Sequence, residues 1–186
     1  MNRTAAALGI GLLALGMSRC TAHAQEQDDA PATVLARVCA KEAGFTGYAD
    51  CGPIAAVLLR VGRGDVVRGA RLHSRRVFDP IALGRRPWIA YLRADGAEPR
   101  DWPQHLSWRA HRPAWLRLMG LARSLVSTGD ARPGVPCEPD TWGGAMDRER
   151  ARRLRLVRID CGPTVNDFYV RPPRSVPARL AAGARR

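Results

Sequence analysis

A glutamate stands where a helix should be burying its apolar face. Residues 33–63 read TVLARVCAKEAGFTGYADCGPIAAVLLRVGR. Val34, Leu35, Val38 and Cys39 fall at helical spacing and make one apolar stripe. Glu42 comes four residues after Val38 and three after Cys39, on that same stripe. A carboxylate on a buried helix face is costly unless it is protonated or paired. Lys41 is its neighbour in sequence but lies about 100° round the helix, which makes it a poor partner. A carboxyl group set against an apolar wall is raised toward neutrality and serves as a general acid. The plainer reading is a helix-end glutamate that caps the helix or pairs with an arginine.

A second group with possible chemistry is Cys51, in Asp50-Cys51-Gly52 at the start of the next apolar helix. A helix N-terminus lowers a thiol pKa and activates it, and His73, His105 or His111 would then be the base. Cys39, just across the turn, is a competing disulfide partner for Cys51. The histidines lack ligand spacing and no C-x-x-C pair occurs, so no metal site is expected. There is no Gly-rich phosphate loop and no cofactor is implied.

The elements that position these groups can be followed along the chain. Asp29 is a candidate cap for the first helix, with Pro31 in its first turn. Gly44 to Tyr48 reverse the chain. Asp50 is the expected cap of a second helix with Ile54, Val57, Leu58 and Val61 on its apolar side. Asp65 caps a short helix, Val66 to Leu72. Pro87 to Leu92 is a strand or a helical turn, Asp95-Gly96 a turn, and Asp101 to Trp108 a tryptophan-rich loop. A helix opens at Pro113, carries Trp115, Leu118, Met119, Ala122 and Leu125, and stops at Gly129-Asp130. Asp140 to Gly144 reads as a compact loop, Met146 to Arg153 as a short charged helix, and Leu154 to Ile159 as a weak strand. Asn166 to Tyr169 is the last ordered-looking piece.

The leader bounds the compartment. A short positive start, an apolar run from Ala5 to Met17 and the small-x-small site Ala22-His23-Ala24 read as a signal peptide over residues 1–24. Cys20 is discarded with it. Cys39, Cys51, Cys137 and Cys161 remain, an even number that argues for two disulfides in an exported protein. Local pairing, Cys39–Cys51 and Cys137–Cys161, is the expectation among the three connectivities. A Cys39–Cys51 bridge would hold Glu42 beside the start of the second helix. The net charge is +13 and nearly all of the positive charge is arginine, Lys41 being the sole lysine. That attracts a polyanion such as a wall polymer or lipopolysaccharide, or is simply a solvated basic surface. Export disfavours nucleic acid as the partner. No second apolar run reaches membrane length, so no stable membrane insertion is expected.

LARVCAKEAGF, a turn, then PIAAVLLRV resembles the opening of cell wall hydrolases of the SleB type. Leu35, Ala36, Glu42 and Ala43 match that family's first helix, and Ala55, Leu58, Arg60 and Val61 match its second. Pro139-Asp140-Thr141 and Gly144-Ala145 echo a later loop. Leu59 stands in place of the family's Asn, and Met146-Asp147 in place of its His and aromatic. The resemblance implies a lysozyme-like fold and cleavage of the glycan strand of peptidoglycan by one glutamic acid, here Glu42. A lytic transglycosylase needs no second carboxylate, because the sugar's own hydroxyl attacks. A hydrolase expects one, and Asp50, Asp140 or Asp147 are the candidates. Tyr48, Trp142 and Tyr169 offer aromatic faces to sugar rings, with Gly143 and Gly144 beside them. For Trp142 the alternative is a buried indole in a tight turn. Asp50-Cys51 also resembles the nucleophile motif of NlpC-type cysteine peptidases, with Gly52-Pro53 where that family has Ser. A third reading is a non-catalytic exported protein that binds wall polymer through its arginines.

The expected architecture is a single mainly α, lysozyme-like domain with two disulfides over residues 25–171, α+β remaining open. A basic, loose tail follows over 172–186, where Pro, Arg and Ala dominate.

Overall fold

The computed structural model describes residues 30–128, 137–143 and 147–172. The expected leader, the Asp29 cap, the Gly129-Asp130 stop, Gly144, the first residue of the charged helix and the tail from 173 onward lie outside the described residues. The rest is mainly helical with a small sheet. Helix α1 spans Pro31–Ala43, α2 Tyr48–Gly62, α3 Val66–His73, α4 Trp108–Ser127 and α5 Arg148–Arg153. Strands β1 (Thr141–Gly143), β2 (Val157–Ile159) and β3 (Asp167–Val170) form an antiparallel sheet in the order β1-β3-β2. Both disulfides take the local pairing, Cys39–Cys51 and Cys137–Cys161, with Cα atoms 5.3 and 5.1 Å apart. Among the described residues no helix is long and apolar enough to cross a membrane.

Helix α1 is central. Every residue from Thr33 to Ala40 is buried, and α1 packs against α2, α3 and α4. A helix covered on all sides is read from its neighbours as much as from its own stripe. Arg37, buried among them, donates from Nε and Nη2 to the Leu92 carbonyl at 3.0 and 2.7 Å.

Helix α2 starts at Tyr48, so Asp50 falls inside its first turn and is not its cap. Asp50 is fully buried. Its carboxylate accepts from the Val165 and Asn166 backbone N–H groups at 2.9 and 2.8 Å, and from Asn166 Nδ2 at 2.8 Å. The side chain that should have ended a helix instead ties the chain just before β3 to the helical pack. Asp65 does cap α3, accepting from the Arg68 N–H at 3.0 Å.

Helices α2 and α3 meet backbone to backbone. A Cβ on Gly69 would lie 2.0 Å from the Leu58 carbonyl oxygen, and one on Gly62 would lie 2.7 Å from the Gly69 nitrogen. Neither contact has a flexible end that can yield. Gly69→Ala should therefore lower the stability of the folded chain by about 1–3 kcal/mol or more, because the two helices must separate. Urea denaturation measures this directly, and an unchanged midpoint would show that the close approach is not needed.

Helix α4 opens at Trp108, five residues before Pro113. Ser107 caps it, accepting from the Ala110 N–H at 3.4 Å. Pro113 removes the bond its own N–H would give to the Arg109 carbonyl, but both residues are exposed, where solvent can reach that carbonyl. Three side-chain anchors offset the loss. Trp108 Nε1 and Arg112 Nε donate to the Gly96 carbonyl at 3.0 and 2.9 Å, and Trp115 Nε1 donates to the Arg93 carbonyl at 2.8 Å. The tryptophan-rich loop thus builds core: Trp102 and Trp108 are buried, with Phe45 stacked on Trp102.

Candidate active site

Two stretches far apart in sequence, 41–76 and 140–171, line one cleft of about 690 Å³. Lys41 and Glu42 enter it from the last turn of α1. Leu72 and His73 come from the end of α3, with Ser74, Arg75 and Arg76 following. Asp140, Thr141, Trp142 and Gly143 come from β1 and the residue before it. Asp147, Arg150 and Ala151 come from α5 and its approach, and Tyr169 and Arg171 from β3 and just beyond.

The sheet sets the position of β1. Thr141 pairs with Tyr169, Trp142 with Phe168 and Gly143 with Asp167. The Asp140 N–H adds a bond to the Tyr169 carbonyl at 2.8 Å. Strand β3 is in turn fixed by the Asp50 contacts at 165–166 and by Asp167, which binds Arg148 Nε at 2.7 Å and Arg158 Nη2 at 2.8 Å. The Arg148 hydrogen bond holds the Asp167 carboxyl below its ordinary value. Burial, with the Asp167 charge adding to it, pushes the Tyr169 phenol above its ordinary value.

His73 lies across the ring of Trp142, centroids 4.3 Å apart and planes 20° from parallel. Its Nε2 is 3.2 Å from Thr141 Oγ1. Desolvation lowers the His73 pKa from its ordinary 6.5; a bond to its own backbone and the Glu42 charge oppose the shift, and Lys41 and Arg150 add to it. Glu42 and Lys41 are each about one-fifth exposed, and Lys41 Nζ is bonded to Glu42 Oε1.

No family model, no curated protein and no solved structure matches this chain. What the cleft can do rests on its own side chains.

Of the residues singled out by type and spacing, Glu42, Trp142, Gly143 and Tyr169 come together here. Tyr48 does not. It opens α2, and its hydroxyl donates to the Ala114 carbonyl at 3.4 Å and accepts from Arg117 Nε at 3.3 Å, both on α4. Gly144 lies outside the described residues. Trp142 lines the cleft, yet it is only 8 % exposed and His73 covers a ring face that a sugar would use. It therefore serves as a support for His73 more than as a sugar platform. Tyr169, 5 % exposed, likewise offers little ring face. Lys41 pairs with Glu42 despite its angular offset, because its long stem can bend round the end of the helix.

The candidate carboxylates divide. Asp50 is buried and already accepts three hydrogen bonds, so it has no role in the cleft. Asp140 is bonded to Arg60 Nη1 and to the Arg171 N–H. Asp147 lines the cleft, and a Cβ on Gly143 would sit 2.9 Å from its Oδ2, so a glycine at 143 leaves room for that carboxylate. Cys51 is buried and bonded to Cys39, and it lies in the first turn of α2 with no thiolate to offer. This removes the cysteine-peptidase reading. His105 and His111 do not line the cleft. His73, Thr141 and Arg150 were not picked out as working groups of a glycan site by sequence. Nothing local to any of them shows that α3, β1 and α5 converge. Among the described residues no group of His, Cys, Asp and Glu is placed to hold a metal ion.

Proposed function

We propose that this chain is an exported, lysozyme-like enzyme that cuts the glycan strand of peptidoglycan, with Glu42 as general acid and base. The observation that carries this reading is the placement of Glu42 in the wall of a substrate-sized cleft whose other wall is β1. The volume falls in the ordinary range of ligand sites, about 300–1,000 Å³. Lys41, Arg75, Arg76, Arg150 and Arg171 line it and suit an anionic wall polymer. Two disulfides fit an oxidising compartment.

In the proposed reaction Glu42 gives a proton to the glycosidic oxygen as the C1–O bond breaks. The positive charge that develops on the sugar ring is then met by an attacking hydroxyl. That hydroxyl belongs either to the sugar itself, giving an anhydro end, or to water, giving a reducing end. Lys41 must first leave Glu42 Oε1. A lysine is suited to this, being a point charge on a flexible stem without the fixed fork of an arginine.

Mass spectrometry of purified peptidoglycan after incubation with the chain tests the proposal. Glycan fragments are expected. Anhydro-muramic ends mean a transglycosylase, and reducing ends mean a hydrolase. Intact glycan, with or without released peptides, would overturn the proposal.

The Lys41–Glu42 pair favours a second reading, an envelope protein that binds wall polymer and leaves it whole. It expects retention on the wall that weakens with salt and yields no fragments.

A further inference from the structure

Thr141 and His73 stand 68 positions apart in the chain and meet inside the cleft that holds Glu42. Beside the bond to its own backbone, two contacts from β1 hold the imidazole. Trp142 supports its plane, and Thr141 Oγ1 sits 3.2 Å from Nε2. The strand register in turn fixes Thr141, which lies opposite Tyr169. A hydroxyl bonded to an oriented imidazole is a better proton acceptor than a free hydroxyl, because the imidazole takes its proton as it receives another. We propose that Thr141, oriented and polarised by His73, receives the attacking hydroxyl in glycan cleavage. The assignment rests on the glycan-cleaving reading of the cleft, and deepens it by keeping Glu42 as the acid and giving the base's part to Thr141 and His73.

Thr141 donates its O–H to His73 Nε2, which leaves the Thr141 lone pairs free to accept the O–H of the attacker. The glycosidic C1–O bond breaks while Glu42 transfers its proton to the leaving oxygen. The attacker's oxygen forms the new bond to C1. Its proton passes to Thr141 Oγ1 as the Thr141 proton passes to His73. A carboxylate and an imidazolium remain, and solvent carries the proton back from His73 to Glu42. No oxidant or further reactant is needed.

This requires a neutral His73 at rest. Of the charged groups lining the cleft, Lys41, Arg75, Arg76, Arg150 and Arg171 oppose a further positive charge, whereas Glu42, Asp140 and Asp147 favour one. His73 is an exposed residue, and partial desolvation by its neighbours leads the balance toward the neutral form. Because the folded pKa is depressed, the neutral ring is present above that pKa and is lost as pH falls through it. The rate of the unaltered chain should therefore fall on the acid side of pH 6.5.

The test compares Thr141→Val, Thr141→Ser and His73→Gln on purified peptidoglycan, with Glu42→Gln as control and thermal unfolding run on each. Thr141→Val is expected to lose about 100-fold or more in turnover while still binding the wall, whereas Thr141→Ser stays within about tenfold of the unaltered rate. His73→Gln is expected to slow turnover and remove the acid-side fall. Turnover of Thr141→Val at the unaltered rate, beside an inert Glu42→Gln, would overturn the assignment and leave glycan cleavage standing. So would an acid-side fall that persists in His73→Gln. If Thr141→Val does not fold, the serine and His73 variants decide. Cleavage by Glu42→Gln, or no glycan fragments from the unaltered chain, would overturn the underlying reading and this assignment with it.

Discussion

Glu42→Gln is expected to stop the release of glycan fragments, a loss of about 10²–10⁴-fold, while leaving the thermal midpoint where it was or slightly higher. The substitution keeps the shape of the side chain and removes the proton it transfers. The structural cost is small. Among the described residues the Glu42 carboxylate is hydrogen-bonded to Lys41 alone, and both side chains are about one-fifth exposed. A partly exposed pair between sequence neighbours is worth at most about 1 kcal/mol. Activity and stability therefore separate at this position, which they would not do for a glutamate kept only to close a helix. Fragment counts by mass spectrometry, set beside a thermal melt, check both halves. Unimpaired cleavage by the glutamine variant would remove Glu42 from the chemistry.

Asp50→Ala is expected to do the opposite, and to cost about 3–5 kcal/mol of stability. Asp50 is fully buried, and its two oxygens serve the Val165 and Asn166 N–H groups and the Asn166 side chain. Alanine leaves the Val165 and Asn166 backbone donors without that acceptor and the Asn166 amide with only its 3.4 Å bond to the Glu42 carbonyl, and an unpaired buried donor is expensive. Asp50→Asn retains part of the network and should cost less. Because β3 carries Tyr169, the partner of Thr141, loosening residues 165–166 also loosens the cleft. Urea denaturation of the three chains in parallel gives the order. A midpoint for the alanine variant within error of the unaltered chain would show that the clamp carries no weight.

The helical elements were largely legible because their apolar residues recur at helical spacing: α1 from Val34 to Cys39, α2 from Ile54 to Val61, and the body of α4 from Trp115 to Leu125. Their ends were less so. Pro113 reads as a first-turn proline, since that is where proline is cheapest. What extends α4 back to Trp108 is a set of indole and guanidinium bonds to residues 93 and 96, invisible to any local pattern. Asp50 misled for a related reason. A carboxylate at a helix start is the same residue type whether it caps its own backbone or serves a loop 115 positions away. Strand β1 spans only Thr141–Gly143 and is held by β3, so no alternation could reveal it. In the cleft, Glu42, Trp142, Gly143 and Tyr169 were found by type and resemblance. His73 was weighed only as a base for Cys51, because its meeting with Thr141 and Trp142 exists only once α3 and β1 have packed.

The clamp between Asp50 and residues 165–166 also orders events in time. A ribosome that has reached Ser127 has made α1 to α4, including Glu42 and His73, and these helices can pack among themselves as they emerge. It has made no part of β1 or β3. Glu42 then stands without Thr141, and Asp50 without the segment it holds. The cleft is thus incomplete at that point, and it closes only when residues 165–170 settle against the second helix. Topology alone delays assembly of the cleft until β1 and β3 have both been made.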